Sequence, residues 1–302
     1  RDVFSCEVVS YFLGEYRKGR TPNPCVRCNR AIKFGALLEK ARELGADFIA
    51  TGHHARIEQD NQSGRYLLKK GIDRNKDQSY FLYALTQEQF ARTLMSIGNL
   101  TKERVREMAR KLDLPVAMKP QSQEICFISD ESYADFIQAH VPDEVKPGPI
   151  LDIHGNVLGQ HRGVIFHTIG QRKGLGIASE KPLYVIAIDP RRNAIIVGIK
   201  AETYSSELIA SALNWIAIEK PTNPFTVKAR IRYRHPEAEA TITPLQDGRV
   251  RVAFSQPQMA ITPGQAVVFY EGDSVIGGGT IESVSRATST GTKKKEIVEL
   301  EH

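Results

Sequence analysis

The chain has 302 residues, 41% of them hydrophobic and 25% charged, a composition typical of a globular protein with two or three domains. It contains no run of about 18 apolar residues and no apolar leader, so we expect no membrane span and a cytoplasmic location. The net charge of +6 suits a polyanionic partner such as a nucleic acid.

The first elements of the chain surround a pair of cysteines. Residues 1–20 have the apolar periodicity of a helix. Residues 21–30 contain two prolines, which predicts a stiff loop that holds both Cys25 and Cys28. A second helix is predicted over residues 31–44, so Cys28 is expected just before its start.

A short apolar run, residues 47–51, predicts a buried strand that ends at Gly52 and His53. Helices that alternate with such strands are typical of an α/β domain. Ligands of α/β sheets bind beyond the carboxyl ends of the strands, which makes Gly52, His53 and His54 candidate site residues. A further strand is predicted at residues 65–70.

Three more helices complete the predicted α/β domain. Thr86 and Gln89 form a capping-box pattern for a helix that extends to residue 95. Thr101 is the predicted cap of the next helix, whose apolar face is expected to point inward and consists of Val105, Met108, Ala109 and Leu112. The last helix is predicted over residues 133–140.

The sequence pattern changes twice after the α/β domain, which we place at residues 1–140. Residues 141–206 are mostly short strands and turns and predict a small central domain. Residues 207–288 contain several short strands with glycine and proline turns, which predicts a β-barrel. The tail, residues 289–302, ends in a pattern typical of a cloning scar and is left out of the fold prediction.

One strand of the predicted barrel is basic. Residues 227–234 alternate apolar and basic side chains, which predicts a half-buried strand with a basic outer face. Arg232 and Tyr233 combine a charge with an aromatic ring, which suits RNA backbone contact and base stacking. The alternative is a solvated strand face without a partner.

The cysteines are too few for a disulfide scaffold, so a reducing compartment and a chemical role are expected. The Cys25-x-x-Cys28 spacing fits half a zinc site, a redox dithiol or a catalytic cysteine with a neighbour. Cys126 is either a second reactive thiol or a buried core residue. Three cations near Cys28 would favour its thiolate, namely Arg27, Arg30 and Lys33.

Two further segments have polar patterns with open interpretations. Residues 76–79 are a solvated loop or a site where Lys76 binds phosphate and Gln78 reads a base edge. Residues 163–176 are glycine-rich and basic, which fits either a mobile loop or a phosphate-binding backbone.

Taken together, these motifs resemble the tRNA-specific 2-thiouridylases, and they occur in the family's order along nearly the whole chain. The motifs are Gly19-Arg20-Thr21-Pro22-Asn23-Pro24-Cys25, Cys28-Asn29, Ile32-Lys33-Phe34, Ala50-Thr51-Gly52-His53, Lys76-Asp77-Gln78-Ser79-Tyr80-Phe81, Ser122-Gln123-Glu124-Ile125-Cys126-Phe127 and Gly170-Gln171-Arg172-Lys173-Gly174.

The resemblance implies an α/β nucleotide-binding domain of the PP-loop ATP-pyrophosphatase type, incomplete at the N-terminus, then a small central mostly-β domain and a C-terminal β-barrel. It implies ATP-dependent adenylation and persulfide-mediated sulfur transfer to C2 of the wobble uridine in tRNAs for Lys, Glu and Gln. ATP, with Mg²⁺, and tRNA would be bound. The persulfide donor would be a sulfur-relay protein or a cysteine desulfurase, with no membrane involved.

The resemblance also assigns residues. Cys28 matches the nucleophile, Cys126 the persulfide carrier and Gly52 an ATP-binding position, and no metal ligand is implied. The positions that match tRNA contacts are Asn23, Pro24, Cys25, His53, Lys76, Asp77, Gln78, Arg232, Tyr233 and Gln265.

The sequence departs from the family pattern at two places. The Ser-Gly-Gly-x-Asp-Ser phosphate loop does not occur in it, and Cys25 stands where some members have an Asp proposed as an acid/base. Two alternatives to the enzyme therefore stay open: a tRNA-binding fragment that lacks activity, and a zinc-bearing RNA-binding protein.

Overall fold

The computed structural model of the chain describes residues 2–118, 125–128, 133–142 and 145–285. Its strands form a parallel pair, a four-stranded central sheet and a closed barrel extended by a hairpin. This architecture confirms the predicted α/β region, central β domain and C-terminal barrel. Residues 122–124 of the second cysteine motif and the tail from residue 289 lie outside the described residues.

The helices are concentrated in the α/β region. The N-terminal helix spans residues 2–17, and a second helix, here called the cysteine helix, spans residues 24–43; each has a π-helical stretch in its middle. The helical segments are Asp2–Phe4, Ser5–Ser10, Tyr11–Arg17, Pro24–Cys28, Asn29–Ala36, Leu37–Glu43, Gln87–Ala91, Lys102–Lys111 and Tyr133–His140, with 3-10 turns at Ser79–Phe81, Pro115–Met118, Val164–Phe166 and Lys200–Thr203.

The cysteine helix begins earlier than predicted. Asn23 is its N-cap and accepts a hydrogen bond from the backbone N–H of Val26 at 3.4 Å, and Pro24 occupies the first turn. Proline is suited to this position because the first helical N–H groups have no intrahelical acceptor. The prediction of a loop through Cys28 is therefore wrong, because Cys25 and Cys28 both lie within the helix.

The parallel pair consists of β1, Ile49–Thr51, and β4, Thr93–Met95. The predicted helix to residue 95 is too long, because it ends at Ala91 and the chain turns into β4. The capping box at its start is confirmed. The prediction of a buried strand at β1 holds only for Ile49: Ala50 is exposed, and the adjacent Phe48 is 53% exposed.

The helix capped by Thr101 was predicted to bury an apolar face. The cap is confirmed, but Lys102–Lys111 contains no buried residue, and Met108 and Leu112 are exposed. The apolar side of this helix is therefore not covered by any of the described residues.

A hairpin of the α/β region joins the barrel. Strand β2, Ala55–Gln59, was not predicted, and β3, Tyr66–Lys70, pairs with it and also with the barrel through Lys69 and Ser274. The two regions also share one apolar core, in which residues such as Phe34 pack with residues such as Tyr270. The α/β region is thus tied to the barrel by packing as well as by the chain.

The central sheet is formed as the turn and strand patterns predicted. Its strands are β5, Gly148–Leu151; β6, Val157–His161; β7, Tyr184–Asp189; and β8, Ala194–Gly198. They have the order β6-β5-β8-β7 in the sheet, with β5 parallel to β8.

The barrel has six strands, and it closes because β13, Ala266–Glu271, pairs with both β10, Phe225–Arg230, and β14, Ser274–Ser285. The basic strand ends at Arg230 rather than near residue 233, so Arg232 and Tyr233 lie in the turn that follows it. The strands are β9, Tyr204–Trp215; β10, Phe225–Arg230; β11, Ala238–Pro244; β12, Val250–Met259; β13, Ala266–Glu271; and β14, Ser274–Ser285.

Candidate functional site

Two cysteines that are far apart in the sequence line one small cavity. Cys28 comes from the cysteine helix and Cys126 from the segment 125–128, and the cavity between them has a volume of about 130 Å³. Cys25 lines the same cavity, and all four cysteines of the chain are free thiols. The other lining residues include Asn29, Lys33, His53, Gln78, Phe81 and Phe127.

Two thiols of the cavity, those of Cys25 and Cys28, have pKa values above the ordinary value for cysteine. Desolvation by the surrounding protein raises the pKa of Cys28, and it also raises the pKa of Cys25 although that residue is partly open to solvent. Only Lys33 lowers both values among the predicted cations, since Arg27 is paired with Glu7 at 2.5 Å. The predicted thiolate-favouring environment is therefore weaker than the sequence suggested.

The positions of the two thiols in the helix bear on which of them is the more acidic. The sequence analysis placed Cys28 at a helix start, where the dipole favours a thiolate. In the structure Cys25 lies in the first turn and Cys28 one turn later. The dipole therefore gives no reason to rank Cys28 as the more acidic thiol.

The small cavity adjoins a large basic cleft of about 1440 Å³, and Cys25, Gln78 and Phe81 line both. Among the described residues that line the cleft, one carries a carboxylate, namely Asp77. Such a surface suits a polyanion that places one of its groups in the small cavity. The basic lining residues are Arg74, Lys76, Lys102, Arg106, Arg230, Arg232 and Arg234.

The loop that carries Lys76, Asp77 and Gln78 is fixed from inside the protein. The buried Asp77 carboxylate accepts hydrogen bonds from the backbone N–H groups of Gly71 and Ser79, both at 3.1 Å. The Gln78 Oε1 accepts from the backbone N–H of His54 at 2.9 Å. Asp77 thus uses its carboxylate to shape the loop, while Lys76 and Gln78 line the cleft.

Gly52 and His53 follow strand β1, as predicted, but they have different surroundings. Gly52 is exposed in the large cleft, and a Cβ there would meet only the Ile97 Cδ1, at 3.8 Å. His53 is buried, and its Nδ1 lies 3.1 Å from the Thr51 Oγ1. Burial, helped by Lys33, lowers the pKa of His53 to about 4, so the ring is neutral at pH 7.

The barrel holds the segment that leads into the cysteine helix. The Gln265 Nε2 donates to the carbonyl oxygens of Thr21 at 3.0 Å and Pro22 at 3.1 Å. The backbone N–H of Thr21 donates to the Pro263 carbonyl at 2.9 Å. Gly264 has a φ of +90°, and a Cβ there would lie 2.8 Å from the Thr21 oxygen, so this close approach requires glycine.

Arg232 is turned into the protein instead of forming part of a basic outer face. Its Nη2 donates to the carbonyl oxygens of Ile169 and Ala260, both at 2.9 Å, and to the Thr262 Oγ1. It thereby links the central domain to the barrel. Arg230 also has a partner within the protein, because its Nη2 forms an ion pair with Glu237 at 2.7 Å. The predicted outer face is therefore wrong for both arginines.

Tyr233 lines the large cleft and contacts Phe81, which lines both cavities. Its ring centroid is 4.4 Å from that of Phe81, at an interplanar angle of 40°. The pair offers an aromatic surface next to the thiols, and both rings line the large cleft.

Sequence reasoning missed several residues of this site. Asn29 is 3% exposed and lines the small cavity, and its only sequence signal was its position after Cys28. Lys102 and Arg106 lie on the helix Lys102–Lys111 and line the large cleft. Their chain positions match no motif, so only the three-dimensional structure brings them into the site.

The zinc alternative requires several ligands placed around one point. Within residues 2–118, 125–128, 133–142 and 145–285, no group of three or more His, Cys, Asp or Glu side chains is placed to hold a metal ion. In the same part of the chain, no helix is long and apolar enough to cross a bilayer.

Comparison with known proteins shows which family has this arrangement. Family models match three consecutive segments: the tRNA methyl transferase HUP domain over residues 1–130, the tRNA methyl transferase PRC-barrel domain over residues 134–199 and the aminomethyltransferase beta-barrel domain over residues 205–281. The names of these models refer to methyl transfer, whereas those of the individual relatives refer to sulfur.

Two of the relatives illustrate this, and both are named tRNA-specific 2-thiouridylase MnmA. That of Moorella thermoacetica is 58% identical over 286 residues, which cover 95% of this chain and 80% of the relative. That of Acetivibrio thermocellus is 55% identical over 282 residues, which cover 93% of this chain and 79% of the relative. With matches of this length and identity, the chain belongs to the tRNA-specific 2-thiouridylase family.

Proposed function

We propose that this chain transfers sulfur to C2 of the wobble uridine in tRNAs for Lys, Glu and Gln, in an ATP-dependent reaction. The observation that carries the proposal is the cavity shared by Cys28 and Cys126, which adjoins a cleft lined by basic side chains. Two thiols beside one base-sized cavity suit sulfur transfer, while the basic cleft suits the phosphates of an RNA.

In this proposal the two thiols have separate roles. Cys126 carries the sulfur to be transferred as a persulfide, whose outer sulfur attacks C2 while the activated oxygen leaves. Cys28 then attacks the inner sulfur of the carrier, so that the outer sulfur stays on the base. The Cys28–Cys126 disulfide that forms balances the electrons, and an external thiol must reduce it before the next cycle.

ATP supplies the adenylyl group that makes the C2 oxygen a leaving group. The chain fits a nucleotide at Gly52, because the backbone there is open to the cleft and a side chain is not required to fill the space. Lys102 and Arg106 also line that cleft and would attract phosphates, with Mg²⁺ as their accompanying ion.

The tRNA would lie along the large cleft with its target base in the small cavity. We propose Lys76, Gln78, His53 and Tyr233 as contacting residues, together with the turn formed by Asn23, Pro24 and Cys25. Arg232 and Gln265 are proposed to support this surface through their contacts inside the protein. Asp77 is proposed to act in the same indirect way.

The persulfide is proposed to come from a sulfur-relay protein or a cysteine desulfurase in the cytoplasm. Cys126 is exposed, which allows such a donor to reach it. Cys25, also exposed, is proposed as a neighbour that exchanges with the disulfide and not as a second nucleophile.

The direct test is formation of 2-thiouridine in tRNA by the full chain supplied with ATP, Mg²⁺ and a persulfide donor. We expect product with the wild type and none with Cys28→Ser or Cys126→Ser. Cys6→Ser is the matched control, because Cys6 is an exposed cysteine that does not line either cavity. Product formation by Cys126→Ser at the wild-type rate would refute the proposed carrier.

The binding-module alternative predicts a different result. A chain without the Ser-Gly-Gly-x-Asp-Ser motif could bind tRNA and fail to activate it. Exchange of pyrophosphate into ATP in the presence of tRNA separates the two functions, because only the enzyme forms an adenylate. Binding without exchange would favour the module.

A further inference from the structure

The small cavity contains a buried polar atom that no protein group satisfies. Asn29 is 3% exposed, and its Oδ1 has no hydrogen-bond partner within the described residues. Buried acceptors are nearly always paired, so an unpaired one beside a cavity is a candidate partner for a donor on a ligand. Asn29 also follows Cys28 directly in the chain, so this acceptor lies next to the reacting thiols.

The orientation of the Asn29 amide is locked. Its Nδ2 donates to the backbone carbonyl of Phe81 at 3.1 Å. A flipped amide would place two oxygen atoms against each other, because a carbonyl only accepts hydrogen bonds. Asn29 therefore keeps its Oδ1 as the unpaired acceptor beside the cavity.

The Gln78 amide is locked in the opposite sense. Its Oε1 accepts from the backbone N–H of His54 at 2.9 Å, and a flipped amide would set two donors against each other. Within the described residues its Nε2 makes no hydrogen bond. Gln78 lines the small cavity too, so it provides a donor where Asn29 provides an acceptor.

One acceptor and one donor form a code that distinguishes the two pyrimidines. Uracil presents an N3–H donor beside its O4 acceptor, whereas cytosine presents an N3 acceptor beside its N4 donor. In the uracil ring, C2 is the atom next to N3. An acceptor that binds N3–H next to Cys28 therefore also brings C2 next to the thiols.

We propose that Asn29 and Gln78 select uracil in the small cavity, with Asn29 accepting from N3–H and Gln78 donating to O4. This inference rests on the proposed function, since it assumes that an extruded base enters the cavity beside the thiols. Phe81 and Phe127 line the cavity and provide apolar surfaces for the flat ring. Cytosine would place its N3 acceptor against the Asn29 oxygen and its N4 donor against the Gln78 N–H group. It would therefore bind more weakly than uracil.

The test is equilibrium binding of the full chain to a labelled anticodon stem-loop RNA with one of four target bases: uridine, 5-methyluridine, cytidine or 3-methyluridine. The first two keep the N3–H, and the last two lack it. The wild type should bind the first two about 10- to 100-fold more tightly than the last two. The 5-methyl group controls for bulk, so this comparison requires no variant.

Variants assign the preference to the residues. Asn29→Leu, of nearly equal size, should bind uridine and cytidine within about threefold of each other, while keeping the wild-type circular dichroism spectrum. Asn214→Leu is the matched control, because Asn214 also donates to backbone carbonyls, those of Tyr83 and Leu85, but does not line the cavity. It should keep the full preference for uridine.

The outcomes are decisive in both directions. Equal binding of all four RNAs by the wild type, or an undiminished preference in folded Asn29→Leu, would overturn the proposal. If Asn29→Leu does not fold, the wild-type comparison alone decides. A wild type that prefers uridine but forms no 2-thiouridine would support this inference and refute the proposed function. A wild type that forms 2-thiouridine but binds all four RNAs equally would support the proposed function and refute this inference.

Discussion

Arg232 offers a sharp test because sequence and structure give it different roles. A residue that contacts phosphate should affect RNA binding, whereas one that links two domains should affect stability. The Nη2 of Arg232 donates to Ile169, Ala260 and Thr262, which places it in the second class. Burial also lowers the pKa of this guanidinium from its usual value. We expect Arg232→Ala to destabilise the protein.

The size of the effect follows from the three contacts. Hydrogen bonds that involve a charged group contribute roughly 1.5–3 kcal/mol each, and release of the buried charge offsets part of their loss. A net loss of about 2–4 kcal/mol results, which corresponds to a fall in Tm on the order of 3–6 °C for a protein of this size. Arg232→Lys keeps the charge but loses the planar guanidinium group. The Tm of this variant should therefore fall by a similar amount.

The assay measures Tm together with the salt dependence of tRNA binding for each variant. Arg234→Ala is the control, because Arg234 is exposed and lines the same cleft. It should keep the wild-type Tm and reduce the slope of log K against log salt by about one. If Arg232→Ala instead reduced the slope and left Tm unchanged, the linking role would be refuted.

Three further predictions concern the thiols, the loop and the histidines. Lys33→Met removes the cation that lowers the pKa of Cys28, so that pKa should rise and alkylation at neutral pH should slow; an equal or faster rate would contradict this. Gln265→Ala removes two hydrogen bonds to the segment before the cysteine helix and should speed amide hydrogen exchange there, whereas unchanged exchange would mean that the segment is held otherwise. Burial lowers the pKa values of His53 and His167 from 6.5 to about 4, so the unfolded chain binds more protons between these values. Stability should therefore fall as the pH drops through this range, and the fall should be smaller in the variant His53→Gln; an equal fall would show that His53 does not contribute.

Local sequence patterns predicted most of the helices and strands, because these elements depend largely on interactions between residues close in the sequence. The capping residues Thr86 and Thr101 both cap helices, since a side-chain oxygen satisfies backbone N–H groups three residues away. Short alternating strands likewise predicted the central sheet and the barrel. The helix predicted to residue 95 was too long because β4 forms by pairing with β1, a contact that lies outside any local window.

The candidate site was predictable only in part. Motif resemblance pointed to Cys28 and Cys126, and the structure places both in one cavity. The internal contacts of Arg232 and the unpaired oxygen of Asn29 depend on groups distant in the sequence, such as Ile169 and Phe81. Alternation along the strand predicted that Arg232 faces solvent. The side chain instead contacts Ile169 of the central domain, which a local pattern does not show.

The central claim is that Cys28 and Cys126 act together on one base. Its most direct test is non-reducing peptide mapping of the full chain after a single turnover with tRNA, ATP and a persulfide donor. The account predicts a Cys28–Cys126 disulfide in an amount that matches the 2-thiouridine formed, with both cysteines free before the reaction, as in the structure. Product formed while Cys126 remains a free thiol, or a disulfide that joins Cys25 and Cys28 from the first turnover, would contradict it.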